Sequence, residues 1–118
     1  MGKPFDIKDR TFEFGTFIVK LCFLLDQHHG GVRLLSNQLF RSGTSIGANI
    51  EEAYGTQTDA DFINKFVIAL KEARETSFWL RQIIAAGILP PDELAELLSE
   101  CEELKKILGA IITKKRKK

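Results

Sequence analysis

Little in this sequence interrupts a helix, and less still reacts. Prolines number three in 118 residues, two of them adjacent at Pro90 and Pro91, so most of the chain is open to long uninterrupted helices. The two cysteines, Cys22 and Cys101, are isolated. That argues against a disulfide-stapled scaffold, and both are expected as buried, reduced thiols. The two histidines stand together at His28 and His29. No apolar run is long: "IIAAGIL", residues 83–89, is the longest even with glycine counted as apolar, far below the ~20 residues a membrane helix needs. Neither sign of charge dominates, with 17 Lys plus Arg against 16 Asp plus Glu, whereas a chain built to coat nucleic acid carries a larger basic surplus. No positively charged and then apolar stretch opens the sequence, so no secretory leader is expected, and the expected compartment is the cytoplasm.

Hydrophobic residues make up 44% of the chain, enough for one core in one domain spanning residues 1–118. Four segments carry helical periodicity. The first runs from about Asp9 to His28 and stops before Gly30-Gly31, with Phe14, Phe17, Ile18, Leu21, Leu24 and Leu25 as its inner face. The second covers about Val32 to Tyr54 and is expected to end on Gly55 as a C-terminal cap. The third starts near Thr58, where Thr58 and Asp61 form a capping-box pattern, and stops at Gly87. The fourth opens at Pro90-Pro91-Asp92-Glu93, with proline in the first turn and carboxylates at the positive end of the helix dipole. Its apolar stripe is Leu94, Leu97, Leu98, Cys101, Leu104, Leu108, Ile111 and Ile112. No segment alternates with the period of a half-buried strand. Short connections make neighbouring helices antiparallel, so the expected fold is an all-α, up-down-up-down four-helix bundle.

Two helices carry more apolar surface than one core needs. On the third, Phe62, Phe66, Ala69, Leu70, Ala73, Leu80 and Ile84 form the inner face, with Ile63, Val67 and Phe78 on one flank and Ile68, Trp79 and Ile83 on the other. Only Asn64, Lys71, Glu75 and Gln82 cluster outward. On the first helix, Phe12, Val19 and Phe23 project away from the core face. A helix that is apolar nearly all round is buried on more than one side. Phe12, Val19, Phe23, Ile68 and Trp79 are therefore candidate oligomer-interface residues; the alternative is that the segment from Met1 to Lys8 folds over one strip.

The second helix contains "SGTSIGANIEEAYG", residues 42–55, in which Gly43 and Gly47 each weaken a helix by roughly 1 kcal/mol relative to alanine. Close packing of a neighbouring helix, or aromatic side chains filling the space, offsets that loss; a ligand phosphate is the weaker reading, because mid-helix amides are already hydrogen-bonded. Leu35, Leu39, Ile46, Ile50 and Ala53 point to the core. Beside them Gln38, Ser42, Ser45, Asn49 and Glu52 recur at steps of four and three, the seam of a helix pair. Ser45, Asn49 and Glu52, with Gly43 and Gly47, are thus candidate packing-seam residues that fix register and partner; a ligand or nucleic-acid groove is the alternative.

Two of these stretches, "SIGANIEEA" (45–53) and "DFINKFVIALKEARETSFWL" (61–80), resemble the bacterial four-helix-bundle family of 23S ribosomal RNA intervening-sequence proteins. The residues that carry the resemblance are Ser45, Ile46, Ala48, Asn49, Ile50, Glu52 and Ala53, then Phe62, Ile63, Lys65, Ile68, Ala69, Lys71, Glu72, Ala73, Glu75, Thr76, Trp79 and Leu80. Phe78 stands where tyrosine is common and Ala53 where glycine is common in one branch. The resemblance implies a bundle that assembles into a ring, with a homopentamer expected. The family takes its name from genes that sit inside ribosomal RNA insertions. A similar pentameric bundle, an accessory protein of diversity-generating retroelements, contacts nucleic acid and a reverse transcriptase. The family has no agreed catalytic residues, so the resemblance implies none here.

Catalytic chemistry finds no support in the residues themselves. His28 and His29 have only Asp26 as a close acid and read as a polar helix terminus. A carboxylate-bridged metal bundle needs Glu-x-x-His pairs, and no histidine lies beyond His29. Glu72 and Glu75 are expected to pair with Lys71, Arg74 or Arg41, or with a neighbouring subunit. No catalytic, metal or cofactor-binding residue is therefore expected, and no cofactor. The tail "KKRKK", Lys114, Lys115, Arg116, Lys117 and Lys118, is the clearest charge feature. It reads either as a frayed, solvated terminus or as a phosphate contact whose binding is sequence-independent and salt-dependent. No aromatics interleave it, so base stacking is not indicated. The expected protein is a non-catalytic, homo-oligomeric scaffold or nucleic-acid-associated accessory, with itself as first partner, RNA or DNA as second, and no membrane. The alternatives are an adaptor that binds another protein through its apolar strips, and an enzyme with a site between subunits.

Overall fold

The computed structural model describes residues 6–117. Four helices account for almost all of them: α1 (Ile7–Leu25), α2 (Gly31–Ala53), α3 (Asp59–Ala85) and α4 (Pro91–Arg116). No strand occurs among the described residues. Each boundary has a local cause. The Asp6 carboxylate accepts the Lys8 N–H at 2.7 Å, so α1 starts two residues earlier than the periodicity suggests. Thr58 caps α3 by accepting the Asp61 N–H at 3.1 Å. Pro91 takes the first position of α4, where its missing N–H costs nothing. Gly30 (φ 65°) and Gly87 (φ 69°) turn the chain in the left-handed region open to glycine. The expected cap at Gly55 is corrected: α2 ends on Tyr54 in right-handed geometry, the Gly55 N–H reaches back to the Glu52 carbonyl at 3.0 Å, and no positive φ is used there.

Pairs between helices fix the topology. Gly43 lies against Ile18 and Gly47 against Thr11; Ser42 meets Thr76 and Glu52 meets Lys65; Cys101 meets Ala73 and Lys115 meets Asp59. In each pair one number rises as the other falls, so α1–α2, α2–α3 and α3–α4 are antiparallel and the bundle is up-down-up-down, 47 Å long and 27 by 21 Å across. The α1–α4 contact is the slightest of the four. It is closed by a forked ion pair: Arg10 Nε donates to Glu100 Oε2 at 2.7 Å and Nη2 to Oε1 at 2.9 Å, with Glu103 at 3.1 Å. The two carboxylates hold the Arg10 guanidinium firmly in its charged form, against the opposing effect of burial.

The core is Phe14, Ile18 and Leu25 of α1, Leu39, Ile46 and Ile50 of α2, Phe66, Leu80 and Ile83 of α3, and Leu94, Leu104 and Leu108 of α4. Full burial of such a side chain contributes about 1.5–3 kcal/mol. Of the α4 stripe read from the sequence, Leu94, Cys101, Leu104, Leu108 and Ile112 are buried, and Leu97, Leu98 and Ile111 pack half-buried against the core. Two helical faces need correction. Phe17 and Leu24 are 48% and 46% exposed and do not belong to the inner face of α1; Thr11 and Cys22 take part instead. Ile83 is fully buried, not on a flank of α3. Within the tail, α4 continues through Arg116. Of the segment from Met1 to Lys8 expected as a cover, residues 1–5 lie outside the described residues, while Ile7 is in the core.

Candidate nucleic-acid interface and assembly surfaces

Gly43 and Gly47 of α2 face α1. A Cβ on Gly43 would stand 2.7 Å from Ile18 Cγ2, and one on Gly47 would stand 3.1 Å from the Thr11 carbonyl oxygen. The close-packing reading of this stretch is therefore the one realised, within a single chain. The polar seam lies on the other side of α2, against α3. Thr76 Oγ1 donates to Ser42 Oγ at 2.9 Å, both residues being fully buried. Lys65 Nζ pairs with Glu52 at 2.7 Å. Asn49 Nδ2 and Ser45 Oγ turn back onto their own helix, to the carbonyls of Ser45 and Arg41. Arg41 bridges Glu72 (3.2 Å) and Glu75 across the seam. Burial, reinforced by the neighbouring Glu75, raises the Glu72 carboxyl above its ordinary value, whereas the hydrogen bond from Arg41 lowers that of Glu75. Of the expected pairings, the one with Arg41 is formed.

The expected interface residues divide between two helices. Phe12 and Phe23 are 74% and 65% exposed on α1, with Val19 half-buried between them. Ile68 and Trp79 of α3 are half-buried. Trp79 lines an open groove with Gly31, Leu34, Leu35, Asn37 and Gln38 at the start of α2. Its indole N–H is buried and has no hydrogen-bond partner among the described residues.

The basic residues gather at the opposite end, where α2 finishes and α3 begins. Lys115 Nζ lies 3.5 Å from Asp59 and 4.9 Å from the Phe62 ring centre. Tyr54 stands edge-on to Phe62 at 5.3 Å, and Phe62 stacks on Phe66 at 4.6 Å. Lys8 covers Tyr54 at 5.3 Å and pairs with Glu51 at 3.8 Å. Tyr54, Phe62, Ile111, Lys114 and Lys115 line one open cleft. So aromatics do accompany the tail, supplied by other helices. Linear spacing hides them; the antiparallel order, which brings the ends of α2 and α4 to the start of α3, is the signal that finds them. Lys114, Arg116 and Lys117 are exposed, and Lys118 lies outside the described residues.

His28 and His29 are exposed in the α1–α2 connection. Among the described residues, no His, Cys, Asp and Glu side chains come together in threes as a metal site requires, and no helix is long and apolar enough to cross a membrane.

An antiparallel all-α four-helix bundle is the class that this geometry defines. Residues 3–110 match the family described as 23S rRNA-intervening sequence protein, and the chain belongs to that family. No curated protein matches it. It is similar, at 42% identity over 91% of its own length and 98% of the other chain, to a crystal structure from Bacteroides thetaiotaomicron with a TM-score of 0.84. That protein is described as one of unknown function from the S23 ribosomal protein family. Neither comparison indicates an enzymatic activity.

Proposed function

We propose that this chain is a non-catalytic, self-assembling bundle, a pentameric ring, that serves in the cytoplasm as a scaffold or nucleic-acid-associated accessory. The exposure of Phe12 at 74% and Phe23 at 65% carries the reading. Burying what remains exposed of the two phenylalanines at each contact contributes about 2–4 kcal/mol per interface, before the cost of association. A ring also needs two different patches on each chain, because contacts of one patch with itself stop at a dimer. Phe12, Val19 and Phe23 on α1 and Ile68 with Trp79 on α3 supply two. Two buried, unpaired thiols suit a reducing compartment. The family's name connects it with 23S ribosomal RNA, and the cluster Lys114, Lys115, Arg116, Lys117 and Lys118 gives such an association a physical means through phosphate contact.

Light scattering on the full chain at micromolar concentration is expected to give a mass near five protomers, and Phe23→Asp to reduce it. A wild-type chain that stays monomeric removes the ring. For the tail, a chain ending at Thr113 is expected to bind RNA with a shallower salt dependence; an unchanged affinity and slope removes the tail contact.

A further inference from the structure

On the solvent face of α3, Val67, Lys71, Arg74, Phe78 and Arg81 recur at steps of four, three, four and three, and all five are exposed. Steps of that size keep side chains on one line along a helix, so the five form a continuous stripe about 21 Å long at 1.5 Å per residue. It carries three cations and no carboxylate. Several cations of the bundle are matched within the chain: Arg10 by Glu100, Arg41 by Glu72 and Glu75, Lys65 by Glu52, Lys105 by Glu102. Among the described residues, Lys71, Arg74 and Arg81 form no ion pair, although the charge of Arg81 helps to lower the Glu102 carboxyl. The carboxylates nearest in sequence, Glu72 and Glu75, are turned to Arg41.

The apolar members of the stripe have a matching character. Phe78 is 44% exposed and stands edge-on to Trp79 at 5.0 Å, which braces the ring from one side. The Arg81 guanidinium lies 5.8 Å from its centre on another. A braced aromatic beside a guanidinium offers a stacking surface to a planar ring.

We propose that this stripe is a binding surface for single-stranded nucleic acid, with Lys71, Arg74 and Arg81 on successive phosphates and a base stacked on Phe78. The inference rests on the nucleic-acid reading above and moves the principal contact from the tail to α3. A single strand presents both phosphates and unpaired planar rings, the two kinds of group that the three cations and Phe78 match. A duplex hides its rings in its own stack and engages only the cations. An acidic protein surface likewise matches the cations and leaves Phe78 without a planar partner.

The test is fluorescence anisotropy of the full chain with a labelled single-stranded oligouridine and with a duplex of the same length, in a series of salt concentrations. Lys71→Gln, Arg74→Gln and Arg81→Gln combined are expected to weaken single-strand binding by about tenfold or more at low salt. The log–log salt slope is expected to become shallower by about 2, at roughly 0.7 for each phosphate no longer neutralised. Phe78→Ala is expected to weaken single-strand binding about fivefold or more while leaving the duplex unaffected. All four positions are exposed, and thermal melts by circular dichroism check that the variants fold; Arg74→Gln alone, with a smaller effect, serves if the triple variant does not. Wild-type affinity and slope in the triple variant, with weakened binding in the chain ending at Thr113, overturns the stripe and leaves the nucleic-acid reading on the tail. A full chain that binds neither probe at low salt overturns both. A triple variant whose assembled mass falls in light scattering marks the stripe as a protein contact and also overturns the inference.

Discussion

Gly43 and Ile18 are packed so closely that a methyl group at position 43 would lie 2.7 Å from Ile18 Cγ2 and 2.8 Å from Cγ1. Those atoms sit on a β-branched, fully buried side chain with little rotamer freedom. Alanine gains roughly 1 kcal/mol in helix propensity, but overpacking a tight core costs roughly 1–3 kcal/mol. Gly43→Ala is therefore expected to destabilise the fold by about 1 kcal/mol net, read as a lower urea midpoint. In Ile18→Ala the same substitution is expected to be neutral or stabilising. Equal effects in both backgrounds would mean that Ile18 is not what glycine accommodates.

The Arg10–Glu100 pair supports the slightest helix contact in the bundle, and both side chains are close to nine-tenths covered. Removing Arg10 takes a fork of charge-assisted hydrogen bonds out of a largely covered site, a loss of about 2–3 kcal/mol. Arg10→Ala is expected to lose that much stability. Arg10→Lys keeps the charge but not the fork that meets both oxygens, and is expected to lose about 1 kcal/mol. Identical unfolding midpoints for wild type and Arg10→Ala would show the pair to be dispensable.

The same weak contact explains why one face of α1 is hard to read from its residues. Arg10, Phe17 and Leu24 are seven residues apart, so they share the edge of α1 that looks toward α4. Periodicity assigns Phe17 and Leu24 to an apolar face, but it does not say how closely the neighbouring helix approaches, and here the approach is slight enough to leave both nearly half exposed. Helix number, the Thr58 cap, the Pro91 start and the α4 stripe are legible because each has a local cause. The Asp6 cap is equally local, but it precedes the first strongly periodic residues and periodicity alone does not reach it. Thr76 is the reverse of Phe17: a polar residue fully buried because its hydroxyl is satisfied by the Glu72 carbonyl and Ser42. The surroundings of the tail are not legible, since Tyr54 and Phe62 stand more than fifty residues before Lys115 and meet it only through the antiparallel register.

Cys101 gives the bundle an alkaline sensitivity of its own. Its thiol is buried between α3 and α4, 3.3 Å from the Ala73 carbonyl, and burial first, then the negative charge of Glu102, push it up to about 12. In the unfolded chain it ionises near about 8.5. Between those values the unfolded chain releases a proton that the folded chain keeps. Stability from this group is thus fully present below about 8.5 and falls by up to ~1.4 kcal/mol per pH unit above it. Other groups titrate in the same range, so the informative quantity is the difference between wild type and Cys101→Ala. At pH 7 the variant is expected to be less stable by about 1 kcal/mol, for the small cavity it leaves. As the pH rises toward about 10 that difference is expected to shrink and then reverse, because the alanine chain has no thiol to ionise on unfolding. Chemical denaturation of both proteins at several pH values measures it. A difference that stays constant from about pH 7 to 10 would mean that the folded Cys101 ionises as readily as the unfolded one, and that the α3–α4 interface around it admits water.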